Sequence, residues 1–324
     1  MKYLLFILFL IQLNRSDGAI FFVTNTNDAG VGSLRQAITD ANITPAPPHD
    51  IFVGVTGTVS LVTDLPNINV TLNIHGSGAA SFLIVGNTHR FIPNMVSGIT
   101  VTLSDLTLCN GTSSTWLVKV VSGATLIMNQ CIFRNNSGMA SCIYSQGNLA
   151  FNYCTIKNNS SPDISTYPII TVGSAVGVAL TINNSTINNN IAMHTSGLGY
   201  GGAFRVTNGT CNITNSTFAN NFSSWGGAMY LSGGTTIITI TNCTFCGNSA
   251  SLSGGALYAN APPQVTLYIN NSILAGNSSV ISGPDGFGYI NSTYGHNIFQ
   301  STTGAVLSGV TTGNVYGANA ASVL

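Results

Sequence analysis

Internal repetition constrains this chain more than any other feature. One heptapeptide pattern, Asn-(Ser/Cys)-x-apolar-x-x-Asn, returns as Gln130-Cys-Ile-Phe-Arg-Asn-Asn136, Tyr153-Cys-Thr-Ile-Lys-Asn-Asn159, Asn184-Ser-Thr-Ile-Asn-Asn-Asn190 and Asn215-Ser-Thr-Phe-Ala-Asn-Asn221. It continues as Asn242-Cys-Thr-Phe-Cys-Gly-Asn248, Asn271-Ser-Ile-Leu-Ala-Gly-Asn277 and Asn291-Ser-Thr-Tyr-Gly-His-Asn297, with an earlier copy at Asp105–Gly111. The central apolar residues, Leu108, Phe133, Ile156, Ile187, Phe218, Phe245, Leu274 and Tyr294, fall 20 to 31 residues apart. That period belongs to solenoids. A second motif lies between copies: Gly201-Gly-Ala-Phe, Gly226-Gly-Ala-Met-Tyr and Gly254-Gly-Ala-Leu-Tyr.

Short alternating strands punctuated by Gly and Asn predict an all-β fold, a right-handed parallel β-helix of about ten coils with a short N-terminal capping helix. One coil cannot bury its inner face alone, so coils stack at the ~4.8 Å strand spacing. The apolar column points inward. So does the residue two earlier, which places Cys131, Cys154, Ser185, Ser216, Cys243 and Ser272 in one inner column. Asn136, Asn159, Asn190, Asn221, Asn248, Asn277 and Asn297 are expected to form a ladder, each taking the left-handed backbone of a corner and bonding the next coil's Asn. The Gly-Gly pairs suit corners where a Cβ clashes.

The division of the chain follows. Residues 1–18 read as a signal peptide: Lys2 precedes an apolar run too short to span a bilayer, with cleavage after Gly18. Residues 19–50 form a cap. In it a strand precedes a helix that Ser33 opens as N-cap, with Gln36 reaching back in a capping box. Leu34, Ala37, Ile38 and Ala41 make one apolar helix face. Residues 51–303 form the β-helix, its first two coils at Val59–Leu61 and Val70–Ile74. Residues 304–324 are a tail or the start of a further region.

Charge excludes several functions. Only 5% of residues are charged, the formal net charge is zero, and all eight acids are Asp. No basic surface is available for nucleic acid, and the shortage of Glu, Lys and Arg argues against helical solenoids. Asp28, Asp40, Asp50, Asp64, Asp105, Asp163 and Asp285 form no close pair of the kind glycosidases use. Arg134 and Lys157 are expected to share one column. His49, His75, His89, His194 and His296 lack metal-binding spacing, and no cofactor or metal is expected. Cys243-x-x-Cys246 puts its thiols on opposite strand faces, against a redox site. Cys131 and Cys154 are the pair to test for a disulfide. Beyond residue 18, sixteen Asn-x-Ser/Thr sequons, among them Asn69, Asn110, Asn135, Asn215, Asn242 and Asn291, arise mostly from the repeat itself.

Phe22-Val-Thr-Asn-Thr-Asn-Asp-Ala-Gly-Val-Gly-Ser-Leu-Arg-Gln-Ala-Ile-Thr-Asp-Ala-Asn42 resembles the N-terminal signature of secreted right-handed β-helix proteins of the CSLREA-like group. The Gly-Gly-Ala-x and Phe-x-x-Asn tetrapeptides resemble repeats of chlamydial polymorphic outer membrane proteins, which are autotransporter adhesins. The resemblance implies export and a β-helix, with adhesion by analogy. Those adhesins carry a C-terminal membrane β-barrel, which is not read before Leu324.

The expected function is an exported, secreted or cell-surface protein, a non-enzymatic adhesin-like scaffold binding glycans or another cell surface. Tyr144, Tyr230 and Tyr258, each after a Gly-Gly-Ala corner or its degenerate copy, are the expected ligand-facing aromatics. A polysaccharide lyase or glycoside hydrolase and a self-stacking coat protein are the alternatives.

Overall fold

The computed structural model describes residues 18–161, 167–173, 177–193, 198–260, 265–291, 295–309 and 312–317. The expected signal peptide, Asp163, His194 and Tyr294 lie outside them.

The chain is a parallel β-solenoid of about ten turns with one short helix. One turn shows the plan. Asn148–Asn152, Thr155–Lys157, Ser160–Ser161 and Ile170–Val172 follow one another around the axis, and each pairs in register with its counterpart one turn on. The apolar column runs unbroken through Val59, Ile84, Leu108, Phe133, Ile156, Ile187, Phe218, Phe245, Leu274 and Phe299. All ten are buried, and Phe218 and Phe245 stack at 4.6 Å. The last member is Phe299, not Tyr294. His296, left-handed at φ 58°, takes the corner, and Asn297-Ile-Phe299 fills the motif's next positions. The coils also run past residue 303: Ala305–Ser308 and Val315–Tyr316 pair with the turn before them.

Each inner Asn is bonded in three directions. Asn190 shows the pattern. Its Oδ1 accepts from the backbone N–H of Asn159 at 3.2 Å and from Asn159 Nδ2 at 3.0 Å. Its own Nδ2 donates to the Ile156 carbonyl of the previous turn and to Asn221 Oδ1, both at 3.0 Å. The same bonds link Asn221 to Asn248 and Asn248 to Asn277. Gly111 N–H joins the first rung, Asn136. These side chains are inside, where an unmet amide is costly.

The ladder residues do not themselves take the left-handed backbone. The residue before each does: Asn135, Asn158, Asn189, Asn220, Gly247 and Gly276 have φ between 54° and 69°. In an Asn-Asn pair the first residue turns the corner and the second faces the core. Asn297 belongs to neither role. Its Oδ1 accepts from Ser272 N–H, so it continues the Cys/Ser column. The ladder ends on Asp285, whose Oδ1 accepts from Asn277 Nδ2 at 2.9 Å.

Near the N-terminal end one helix packs on the first coils. The helix Leu34–Ile43 buries Leu34, Ala37, Ile38 and Ala41, and Ser33 Oγ accepts from Gln36 N–H. Gln36 does not reach back; its amide donates to Asp40 at 2.6 Å, while Ser33 N–H is taken by Gly30. Leu34 and Ile38 close the bore over Leu65, Ile68 and Ile74. Arg35 fastens the helix to the first coil through Asp28 and the Thr63 and Asp64 carbonyls.

Asn190→Ala removes the acceptor for two donors of Asn159 and the donor to Ile156. It is expected to lower unfolding free energy by about 3 kcal/mol in urea titrations. Its neighbour Asn189 turns outward with φ 54°, so Asn189→Gly should stay within about 0.5 kcal/mol and Asn189→Ala should cost about 1 kcal/mol.

Candidate functional site

The repeat geometry gathers aromatics into one outward row. The first Gly of each Gly-Gly-Ala corner is left-handed (Gly201, Gly226 and Gly254 at φ 66–79°). The second lies so close to the next turn that a Cβ on Gly227 would meet the Gly255 carbonyl oxygen at 2.1 Å. The Ala that follows is buried, and the residue two places further points out. That slot holds Tyr144, Thr171, Arg205, Tyr230, Tyr258 and Phe287 on successive turns, with Lys119 before Tyr144.

The three expected tyrosines therefore share a column, with Thr171 and Arg205 between Tyr144 and the adjacent pair Tyr230 and Tyr258. Tyr230 stacks on Tyr258 at 5.1 Å, and Tyr258 on Phe287 at 5.0 Å, with planes within 13°. Tyr200 tilts against Tyr230 at 4.8 Å. Both faces of Tyr258 are covered, so Trp225, perpendicular at 5.1 Å, lies at its edge. Ring faces are thus used within the row, and the outward groups are phenol edges and the flanking indole. At the other end Trp116 stacks on Tyr144 at 5.8 Å under Lys119. Burial, then the neighbouring tyrosines, pushes the Tyr230 phenol above its ordinary range, and the same causes act on Tyr258. Both remain hydroxyl donors at neutral pH.

Reading single motifs missed Lys119, Trp116, Tyr200, Trp225 and Phe287, and missed that Arg205 occupies the aromatic slot. A signal was present: Arg205 follows Gly201-Gly-Ala-Phe as Tyr230 follows Gly226-Gly-Ala-Met. Gly283-Pro-Asp-Gly-Phe287 is a fourth, degenerate copy.

The thiols play a different part. Cys131 and Cys154 occupy successive rungs but are both free, in place of the expected disulfide. Cys131 Sγ donates to the Leu103 and Asn129 carbonyls and Cys154 Sγ to those of Met128 and Asn152. Ser185, Ser216 and Ser272 hydroxyls make the matching bond to the carbonyl two residues back. Each thiol thus stands in for a hydroxyl. Burial pushes Cys131 up to about 12 and Cys154 and Cys243 up to about 11. Cys246 ends the strand Thr244–Cys246 that follows Cys243 and is half-buried.

Among the described residues the ion pairs are confined to the capped end, between residues 28 and 90. Arg134 and Lys157 share a column, between Cys109 and Asn188. A polar groove of about 790 Å³ near the cap holds Asp64, His89 and Arg90 among threonine and serine hydroxyls. Its carboxylate is taken up by Arg90 at 2.7 Å. Among the described residues no three His, Cys or Asp side chains come together as a metal site. Sequon residues Asn69, Asn110, Asn135, Asn215 and Asn242 face solvent, while Asn291 is half-buried.

Comparison with known proteins sharpens the class. Residues 242–260 match the family model described as the Chlamydia polymorphic membrane protein repeat. That stretch runs from the corner at Asn242 through ladder residue Asn248 to Tyr258 and Asn260, so it contains both the spine and the outward slot. The chain is a parallel β-solenoid carrying a repeat of this type. No curated protein matches it. Three chains of solved structures match, among them a PL6 family alginate lyase, AlyGC, at 11% identity and a TM-score of 0.34. The alignment covers 91% of this chain and 50% of that one, so this chain spans about half the length of that structure.

Two measurements check the buried chemistry. Six thiols should resist a maleimide in the native state, with Cys246 reacting first and all seven after denaturation. Asp285 is raised to about 6, first by burial. The folded carboxyl binds its proton more tightly than the unfolded one. Its stabilisation is therefore fully present below about pH 4 and is lost as pH rises through about 6. The unfolding midpoint should fall between pH 4 and pH 7, by an amount worth at most about 3 kcal/mol, and Asp285→Asn should flatten that change.

Proposed function

We propose that the chain is exported through its N-terminal apolar segment and acts outside the cell as a non-enzymatic, adhesin-like scaffold that binds glycans. The outward row carries this reading. It aligns aromatic and cationic side chains along the axis at the ~4.8 Å rung spacing, a repeat comparable to one sugar unit of an extended polysaccharide. Phenol hydroxyls, a guanidinium and flanking indoles offer donors and apolar edges that suit sugar hydroxyls and ring C–H groups. The polymorphic membrane protein repeat at 242–260 supports a surface role. The described carboxylates do not converge on the row: Asp285 turns to Asn277 and Ser301, Asp105 sits at the corner before the strand Thr107–Ser113, and Asp28, Asp40, Asp50 and Asp64 belong to the capped end.

A glycan array probed with the mature chain should give binders, and Tyr258→Ala and Trp225→Ala should each weaken the best of them at least ten-fold without lowering the thermal midpoint by more than a few degrees. An array with no binder above background, or binders indifferent to both substitutions, refutes the proposal. Capture of a purified protein ligand by the row in place of any glycan refutes it equally.

A further inference from the structure

Arg205 is the odd member of the outward row. Burial hides its Nε, and that atom has no hydrogen-bond partner. The guanidinium lies over Tyr200 at 5.4 Å and Tyr230 at 5.8 Å, so among the described residues π faces alone hold its charge. The arginines of the capped end are different: Arg35 reaches Asp28 and Arg90 reaches Asp64, both at 2.7 Å. Among the described residues no carboxylate pairs with Arg205. The aromatic ring at each equivalent slot on the next three turns needs no counterion, so packing does not explain a cation there. A half-buried guanidinium without an anion is a poor structural element and a ready recognition element, because its fork matches a carboxylate.

Its surroundings extend the argument. Thr171, the row's short member, is nearly buried and bonds Ser141 at 2.8 Å, leaving a step between Tyr144 and Arg205. Lys119 lies three rungs away on the same column, roughly 14 Å at the strand spacing. It too lacks a carboxylate partner among the described residues and sits 4.9 Å over Trp116. The row therefore carries two uncompensated positive charges and no acid, in a chain of zero net charge. Charge complementarity selects the occupant.

We infer that the row takes an acidic glycan, with a sugar carboxylate seated on Arg205 between Tyr144 and Tyr230 and a second acidic group near Lys119. This rests on the glycan-binding reading above and adds the class of sugar. Arg205 touches the ligand directly; Tyr200 and Tyr230 position it.

Immobilised polygalacturonate and hyaluronate, each beside its carboxyl-reduced neutral counterpart, test it by biolayer interferometry on the intact chain. At least one acidic polymer should bind ten-fold or more tighter than its neutral partner, with affinity falling as salt rises. Arg205→Gln should bring that ratio close to one, and Arg205→Lys should leave it in between, since charge survives and the fork is lost. Circular dichroism of the two variants, matching the parent, confirms the fold. A wild-type ratio near one, or a ratio unchanged in Arg205→Gln, overturns the acidic subsite while leaving the row as a glycan binder. Wild-type chain that binds none of the four polymers overturns the acidic subsite, and the glycan array then decides the broader reading separately.

Discussion

The three-way bonding of the inner asparagines is the interaction on which the solenoid depends. A parallel stack satisfies backbone groups along its strands, but its corners leave N–H groups and carbonyls pointing inward with nothing opposite. Asn159, Asn190, Asn221 and Asn248 meet that need with one amide each, accepting a backbone N–H from one turn, donating to a carbonyl, and joining the next amide. No apolar residue of similar size can do this. The left-handed residue before each rung makes it geometrically possible by turning the chain without using the rung's own backbone.

The composition follows from that requirement. Inner columns call for apolar groups with Cys or Ser at the kink, corners for Asn and Gly, and outer strand faces are served by neutral Thr and Ser. A second line of amides, Asn129, Asn152 and Asn183, ends on Thr214 along an outer edge. Charge has almost no structural task, apart from fastening the capped end through Arg35 with Asp28 and Arg90 with Asp64. Charged residues found elsewhere on the solenoid, Arg205 above all, therefore stand out.

Much of this was legible in the residues, because register in a repeat is carried by spacing. The column Leu108, Phe133, Ile156, Ile187, Phe218, Phe245 and Leu274 follows from aligning one heptapeptide. Near the end of the chain the rule broke: Asn291-Ser-Thr-Tyr294 mimics the motif, while the true copy begins five residues later, at His296. Local similarity could not rank the two, since pairing of Ile298 with Ile273 is a long-range fact. Gln36 was misjudged for the opposite reason: a nearer partner, Asp40, competed for its amide. The outward row was visible only where Tyr followed Gly-Gly-Ala, because the pattern names a position and Arg205, Thr171 and Phe287 fill that position with other chemistry.

The constancy of one interval has an evolutionary consequence. From the Cys/Ser column to the ladder Asn the distance is always five residues, from Cys131–Asn136 through Ser272–Asn277. From ladder Asn to outward slot it varies: 8 residues from Asn136 to Tyr144, 15 from Asn190 to Arg205, 10 from Asn248 to Tyr258. Insertions and deletions are thus absorbed beside the row and excluded from the spine. The molecule separates a portion of each turn that must keep time from a portion free to drift. Such a division lets a lineage remodel the rims of its contact surface repeatedly without re-solving the problem of folding.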